Sequence, residues 1–116
     1  MNKTESFTEY VRDQLQELRN VEFRRMFGGH GLYCGPKFFG ILFKGRLYFK
    51  TDATNRTAYI EHGMQAFQPN ARQVLKNYFE VPAEVLEDAE VLVEWARRAV
   101  GIPGENAGVR RSRGRK

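Results

Sequence analysis

The sequence predicts one small α+β domain, a mainly antiparallel sheet of about four to five strands with helices packed on it. Its 116 residues suit a single domain of ordinary size. Hydrophobic residues make up 41% and aromatic residues 13% of the chain, enough to build a core. The hydrophobic spacing changes along the chain between three or four residues and two, in the order α–β–β–β–α–β–α.

The first predicted helix covers residues 4–18. Ser6 with Glu9 three residues later forms a capping box, and Thr4 is an alternative N-cap. Its apolar stripe consists of Phe7, Tyr10, Val11, Leu15 and Leu18.

The middle of the chain alternates as strands do from Val21 onward. Glycines at 28–31 indicate a bulge or a bend in this strand pattern. Residues 38–43 are apolar at both alternating sets, which predicts a central strand covered on one face and partly on the other. Lys44-Gly45 favours a hairpin into a strand at 46–50.

A short helix is predicted at 55–62, with Thr54 as its N-cap and Gly63 at its end. A further strand follows at 75–81, and Pro82 suits the first turn of a helix.

The last predicted helix, 89–100, is capped by Asp88 and stopped by Gly101 and Pro103. The folded domain is therefore expected to cover residues 1–103. Residues 104–116 contain almost no apolar side chain and are expected to be a disordered basic tail.

The net charge of +5 is concentrated at the C-terminal end. Without residues 110–116 the chain has 14 basic and 14 acidic residues. This predicts weak, sequence-independent nucleic-acid binding by the tail, with a solubilising or proteolytically labile tail as the alternative. The bases concerned are Arg110, Arg111, Arg113, Arg115 and Lys116.

Catalytic, metal and cofactor motifs give little signal. The glycine loop at 28–31 matches neither a P-loop nor a dinucleotide fingerprint, so its glycines are interpreted as bending the sheet. His30 and Cys34 would stand roughly 13 Å apart on extended chain, too far for a nucleophile and its base unless the glycines fold the chain back. Two histidines and one cysteine do not make a zinc cage. We therefore expect no catalytic residue, no metal and no cofactor.

The aromatic side chains leave three interpretations open. Rings flanked by bases on a sheet can stack on unpaired nucleotides, most of them can form the core, or an exposed remainder can form a dimer contact. The neighbouring bases are Arg24, Arg25, Lys37, Lys44, Arg46 and Lys50.

Several motifs in order resemble the TfoX N-terminal domain family, also called Sxy-like. The resemblance covers roughly residues 10–100 and begins with the run from Met26 to Tyr33. Its positions, interpreted as structural, are Met26, Phe27, Gly28, Gly29, Gly31, Leu32, Tyr33, Gly45, Leu47, Tyr48, Tyr78, Val81, Pro82, Trp95 and Ala96.

The resemblance implies an α+β fold and a role in regulation. Full-length members act as positive regulators of competence genes, working with a cyclic-AMP-responsive transcription activator, and carry a second, C-terminal domain. Here a short basic tail follows instead, so we expect a stand-alone N-terminal domain.

Three functions follow as hypotheses. The first is a non-enzymatic regulatory domain that binds a protein partner, such as a transcription complex, and that could form a homodimer. The second is direct nucleic-acid binding, and the third is an enzyme or small-ligand module using residues 28–34. No apolar run reaches the roughly 20 residues of a membrane helix, and a lone Cys34 fits a reducing compartment, so we expect a cytoplasmic protein without a membrane partner.

Overall fold

The computed structural model describes residues 3–26 and 28–103, with side chains from residue 6 onward. These residues form an α+β fold, as predicted, but with six strands instead of four or five. In chain order the elements are α1 (Lys3–Gln14), β1 (Val21–Met26), β2 (Gly29–Cys34), β3 (Lys37–Phe43), β4 (Arg46–Lys50), α2 (Arg56–Glu61), β5 (Ala66–Asn70), β6 (Gln73–Glu80), α3 (Ala83–Leu86) and α4 (Ala89–Val100).

The strands form one sheet in the order β1-β2-β3-β4-β6-β5, and every neighbouring pair is antiparallel. The first four strands are a meander, since each lies beside the next one along the chain. The β5–β6 hairpin joins with β6 next to β4. As a result, β1 and β5 form the two edges of the sheet.

The stretch that the sequence indicated as one bent strand is two strands. Gly28, at φ 79°, lies in the turn between β1 and β2, which then pair without a register shift. Gly29 lies so close to β3 that a Cβ there would overlap the backbone carbonyl oxygen of Leu42. These two glycines therefore serve a turn and a close strand contact, not a bend, because only glycine is free of steric cost at both.

The predicted central strand is confirmed as β3. Its pairing with β2 skips one residue, Phe39, which makes a β-bulge. Phe39 packs into the core beneath the helices, while Phe38 and Ile41 contact a second cluster on the other face. Both alternating sets of this strand are apolar because each face of β3 packs on an apolar cluster.

Several turn and cap predictions are confirmed. Lys44 and Gly45 have φ values of 51° and 75°, as a tight two-residue hairpin between β3 and β4 requires. The Asp88 side chain accepts a hydrogen bond of 3.3 Å from the Val91 amide and caps α4. Gly63, at φ 77°, follows α2.

Two predicted helix starts are wrong. Helix α1 begins at Lys3 and ends at Gln14, so Thr4, Ser6 and Glu9 lie inside it and form no cap box. The chain continues to residue 18 as turns, in which the Leu18 amide donates to the Leu15 carbonyl. Of the predicted apolar stripe, Val11 and Leu15 are buried and Phe7 and Leu18 are partly buried, but Tyr10 is 39% exposed. The stripe also overestimated the length of the helix.

Thr54 is not the N-cap of α2. The cap position belongs to Asn55, and the helix begins at Arg56. The amide and hydroxyl of Thr54 instead donate to the Asp52 carboxylate, at 2.8 and 2.6 Å. An Asp side chain that closes such a local turn removes the threonine from the helix start.

Strand β5 was not predicted, and of α3 only the start was indicated, by Pro82. Strand β5 contains Pro69 and shows no clean alternation, so its extended form depends on pairing with β6 and has little local signal. Pro82 lies directly before α3, one position ahead of the predicted first turn.

The core has two parts, one on each face of the sheet. On one face the helices cover a cluster that includes Leu15, Leu32, Phe49, Leu92 and Ala96, all of which are buried. On the other face a smaller cluster belongs to the strands alone. It consists of Ile41, Tyr48, Phe67 and Tyr78, with Phe38, Phe43 and Leu75 at its border.

Candidate protein-binding surface at the sheet edge

The two edge strands differ in how well they could accept another strand. Strand β5 contains Pro69, and its register with β6 shifts twice. Strand β1 is six residues long, contains no proline and pairs with β2 in one continuous register. No strand among residues 3–26 and 28–103 covers its outer side, so alternate amides and carbonyls face outward along the whole strand.

The connection from α1 into β1 is fixed by hydrogen bonds to its backbone. Asn20 adopts φ 65°, a left-handed conformation that asparagine tolerates. Its carbonyl accepts from the Gly35 amide at 3.0 Å, and the carbonyl of Arg19 accepts from the Cys34 thiol at 3.3 Å. These contacts to the β2–β3 turn hold the end of α1 against the start of β1.

An open groove of about 470 Å³ lies between the end of α1 and β1. Its volume is in the range of ligand-binding clefts. Leu18, Val21 and Phe23 form a partly buried apolar floor. We call this the β1 groove, lined by Arg12, Leu15, Gln16, Leu18, Arg19, Asn20, Val21 and Phe23.

The two charged side chains that line the β1 groove, Arg12 and Arg19, are both basic. The guanidinium of Arg12 lies 4.3 Å from the centre of the Phe23 ring, and its ion pair with Glu9, at 3.7 Å, is solvent-exposed. Arg19 and Arg25 have no acidic partner within the part of the chain that the structure describes. Unpaired guanidinium groups beside an apolar floor favour a partner that is both apolar and acidic.

His30, on β2 behind β1, responds to this positive charge. Burial lowers the pKa of His30 first, and the nearby cations of Arg25 and Arg12 lower it further. His30 pairs with Arg25, which alternates with Val21 and Phe23 along β1 and so shares their face of the sheet.

The helix-free face of the sheet carries the aromatic side chains that could have stacked on nucleotides. Tyr33, Phe38 and Tyr78 form one series of ring contacts, with centroids 5.2 and 5.5 Å apart. Arg24 lies 4.4 Å over the Tyr33 ring and also pairs with Glu22 at 2.8 Å. These rings therefore contact one another, and the Arg24 guanidinium lies over Tyr33.

His30 and Cys34, weighed above as a nucleophile and its base, lie on one continuous strand. His30 pairs with Arg25 and Leu42, whereas Cys34 pairs with Val21 and Lys37 at the far end of β2. The glycines do not fold the chain back between them. No group of three or more His, Cys, Asp or Glu side chains in the described ranges is placed to hold a metal ion.

The predicted signature positions are distributed over the whole fold. Leu32, Leu47, Val81 and Ala96 are buried beneath the helices, and Trp95 contacts Tyr59. Tyr48 and Tyr78 lie in the strand cluster on the other face. Phe27 and the five bases of the tail, from Arg110 to Lys116, lie outside the described residues.

A second, much smaller cavity of about 30 Å³ lies between α2 and α4. The buried hydroxyl of Tyr59 has no hydrogen-bond partner among the described residues. Burial raises the pKa of Tyr59. The space suffices for a water molecule but not for an organic ligand. Its lining consists of Asn55, Ala58, Tyr59, Trp95 and Arg98.

Sequence reasoning did not find the β1 groove. It placed Leu18 in the stripe of the first helix and Arg25 among bases near the sheet, but did not bring them to one surface. The available signal was the change from helical to alternating spacing at Arg19-Asn20, since a sharp turn there must fold the helix end against the new strand.

The fold and this surface define a class of protein: a small α+β domain with helices on one face of a single sheet and an open, regular edge strand. Within that class the chain belongs to the TfoX N-terminal domain family, whose family model matches residues 13–102. The resemblance inferred from the sequence motifs is thereby confirmed. A search of curated proteins finds no match to the chain. None of the described helices has the length and apolar character needed to cross a bilayer.

Proposed function

We propose that this chain is a non-enzymatic regulatory domain that works by binding a protein partner, and that the partner docks on β1 and the β1 groove. The observation that carries this proposal is the free edge of β1, which is regular over all six residues and adjoins an apolar groove. Edge strands of this kind bind partners through main-chain hydrogen bonds, and a neighbouring groove adds side-chain specificity.

Membership of the family supports a regulatory role, because its full-length members act on competence genes together with a transcription activator. We therefore propose a component of a transcription complex as the partner, encountered in the cytoplasm. The Cys34 thiol, weighed above as a nucleophile, supports a structural use, because it donates a hydrogen bond to the backbone carbonyl of Arg19.

Site-specific photo-crosslinking in the native cell tests the docking surface. A photoreactive residue replaces Glu22, exposed on β1, and in a matched variant replaces Glu90, exposed on α4. We expect a protein partner to be captured through position 22 and not through position 90. Equal capture at both positions, or capture at position 90 alone, would contradict docking at β1.

The captured protein is then purified and titrated calorimetrically against two apolar-to-acid variants. Leu18→Asp alters the floor of the groove, and Ile60→Asp alters an apolar side chain that is 56% exposed on α2. We expect Leu18→Asp to weaken binding at least about tenfold, as loss of a central apolar contact does, and Ile60→Asp to leave it unchanged. Circular dichroism verifies that both variants are folded.

A measurable turnover that disappears on replacing His30 or Cys34 in folded protein would refute the non-enzymatic part of the proposal.

A further inference from the structure

We infer that the segment bound at β1 is an extended, acidic stretch of the partner protein, which adds to the sheet as a seventh strand and places apolar side chains in the β1 groove. This inference rests on the proposed function and specifies the chemistry of the partner. It follows from the edge geometry, the arginines beside the groove and the shape of the groove together.

The edge geometry requires an extended segment. Strand β1 has six residues, which span about 20 Å. Its outward amides and carbonyls alternate at the spacing of a strand, so a helix cannot pair with them whereas a strand pairs with all of them. The opposite edge, with Pro69 and two register shifts, does not offer this ladder.

The charges require an acidic segment. Arg12 and Arg19 border the groove, and Arg25 alternates with Val21 and Phe23 along β1, so it lies on the same face of the sheet. Charged side chains on an edge strand prevent indiscriminate pairing, because a strand without the opposite charges leaves them desolvated and unpaired. Carboxylates on the incoming strand would reverse that cost through charge-assisted hydrogen bonds.

The same charges argue against two other occupants. The chain's own tail brings five further bases in residues 110–116 and no acid. In a second copy, antiparallel pairing of β1 with β1 would match Glu22 with Arg24 on the helix-free face, but would bring two sets of Arg12, Arg19 and Arg25 together on the helix side. Like charges brought this close disfavour the pairing.

The groove specifies where apolar side chains belong in the incoming strand. Alternate residues of an added strand point to the same face as Val21 and Phe23. Two apolar residues at positions i and i+2 can therefore cover the floor, with an acid two positions beyond each of them to reach the arginines. A blocked heptapeptide, Asp-Thr-Val-Thr-Val-Thr-Asp, has this pattern.

The test is a titration of isotope-labelled protein with this peptide, followed by amide chemical shifts. We expect shifts in β1 and in residues 15–20. A peptide with both acids replaced by lysine should bind at least about tenfold more weakly, as should one N-methylated at alternate backbone positions so that strand pairing is blocked.

A charge swap on the protein makes the test specific. Arg19→Glu should weaken binding of the acidic peptide about tenfold and strengthen binding of the lysine peptide. Arg72→Glu, on the exposed β5–β6 turn, should change the affinity for neither peptide. Because Arg19 and Arg72 are both exposed, the two variants are matched in expected stability.

Other outcomes would overturn the inference in recognisable ways. Absence of binding, or shifts confined to the helix-free face, would refute it. Shifts of β1 that appear with protein concentration and without peptide would assign the edge to a second copy. If the partner crosslinks at position 22 and needs Leu18 but the acidic peptide does not bind, the proposed function stands and only the acidic strand fails. If crosslinking maps elsewhere, the proposed function itself fails.

Discussion

Tyr59 is a buried residue whose hydroxyl group lacks a hydrogen-bond partner among the described residues. Its side chain is 1% exposed, and its ring packs edge-on against Trp95 at 4.7 Å. The hydroxyl has no partner among the described residues and adjoins the small cavity between α2 and α4. A buried polar group without a hydrogen bond costs free energy, because it loses its interactions with water.

We therefore expect Tyr59→Phe to stabilise the protein by about 1 kcal/mol, measured by urea unfolding. Tyr33→Phe is the matched control, since Tyr33 is only half-buried, and it should change stability by less than about 0.5 kcal/mol. A clear loss of stability in Tyr59→Phe would show that an ordered water occupies the cavity and binds the hydroxyl.

His30 provides a titration that reports the charge near β1. Its pKa is held below the ordinary value of 6.5 by burial, with smaller contributions from Arg25 and Arg12. The unfolded chain therefore binds a proton at a higher pH than the folded one. With respect to His30, the free energy of unfolding has its full value above pH 6.5. It falls as the pH drops below that value, because the unfolded chain then takes up a proton that the folded chain does not.

An NMR titration of the imidazole should give a midpoint below 6.5. Arg25→Gln should raise the midpoint, because it removes a repelling cation, whereas Arg72→Gln should leave it unchanged. A midpoint at or above 6.5, or one insensitive to Arg25, would remove the basis for a positive field on this side of the sheet.

At the scale of elements, the glycines of β2 determine how closely three strands approach. A Cβ at Gly29 would overlap the backbone carbonyl of Leu42, and the backbone of β3 cannot move without breaking its pairing. A Cβ at Gly31 would meet the ends of two side chains, Met26 and Phe38, which can rotate away. The cost of adding a methyl group should follow this difference.

We expect Gly29→Ala to destabilise the domain by about 3 kcal/mol and Gly31→Ala by about 1–2 kcal/mol, both measured by thermal and urea unfolding. Gly101→Ala is the control, because its added Cβ would lie at ordinary contact distances of 3.5 and 3.6 Å and its φ is −72°. It should be neutral or slightly stabilising. Equal losses at positions 29 and 31 would contradict this account.

The elements also show what the sequence could and could not predict. The hairpin at Lys44-Gly45, the central strand β3 and the Asp88 cap were predicted because turn, burial and cap signals are local. Strand β5 was missed because its extended form comes from pairing with β6 across Pro69. The β1 groove was missed because it exists only where Leu18, in the turns after α1, comes together with Phe23 on β1.

Across the whole molecule, the charges are separated along the chain. Residues 19–56 contain eight basic and two acidic side chains, and the strands β1 to β4 fall within this range. Residues 57–103, which include α3 and α4, contain four basic and seven acidic ones. The net charge of the described residues is therefore close to zero, although the half of the sheet formed by β1 to β4 is basic. A polyanion could contact either this half of the sheet or the basic residues 110–116.

A salt titration separates the two. If all five bases of residues 110–116 reach phosphates, the log–log slope of DNA affinity against salt should be about −4.5, a loss of roughly 500-fold between about 50 and 200 mM salt. A variant with these five bases changed to glutamine keeps the length of the chain and removes only the charge. We expect it to lose measurable affinity for a short DNA duplex in fluorescence anisotropy, while its thermal unfolding midpoint stays the same. Salt-sensitive binding that persists in this variant, and weakens with Arg25→Gln, would instead place the contact on the basic half of the sheet.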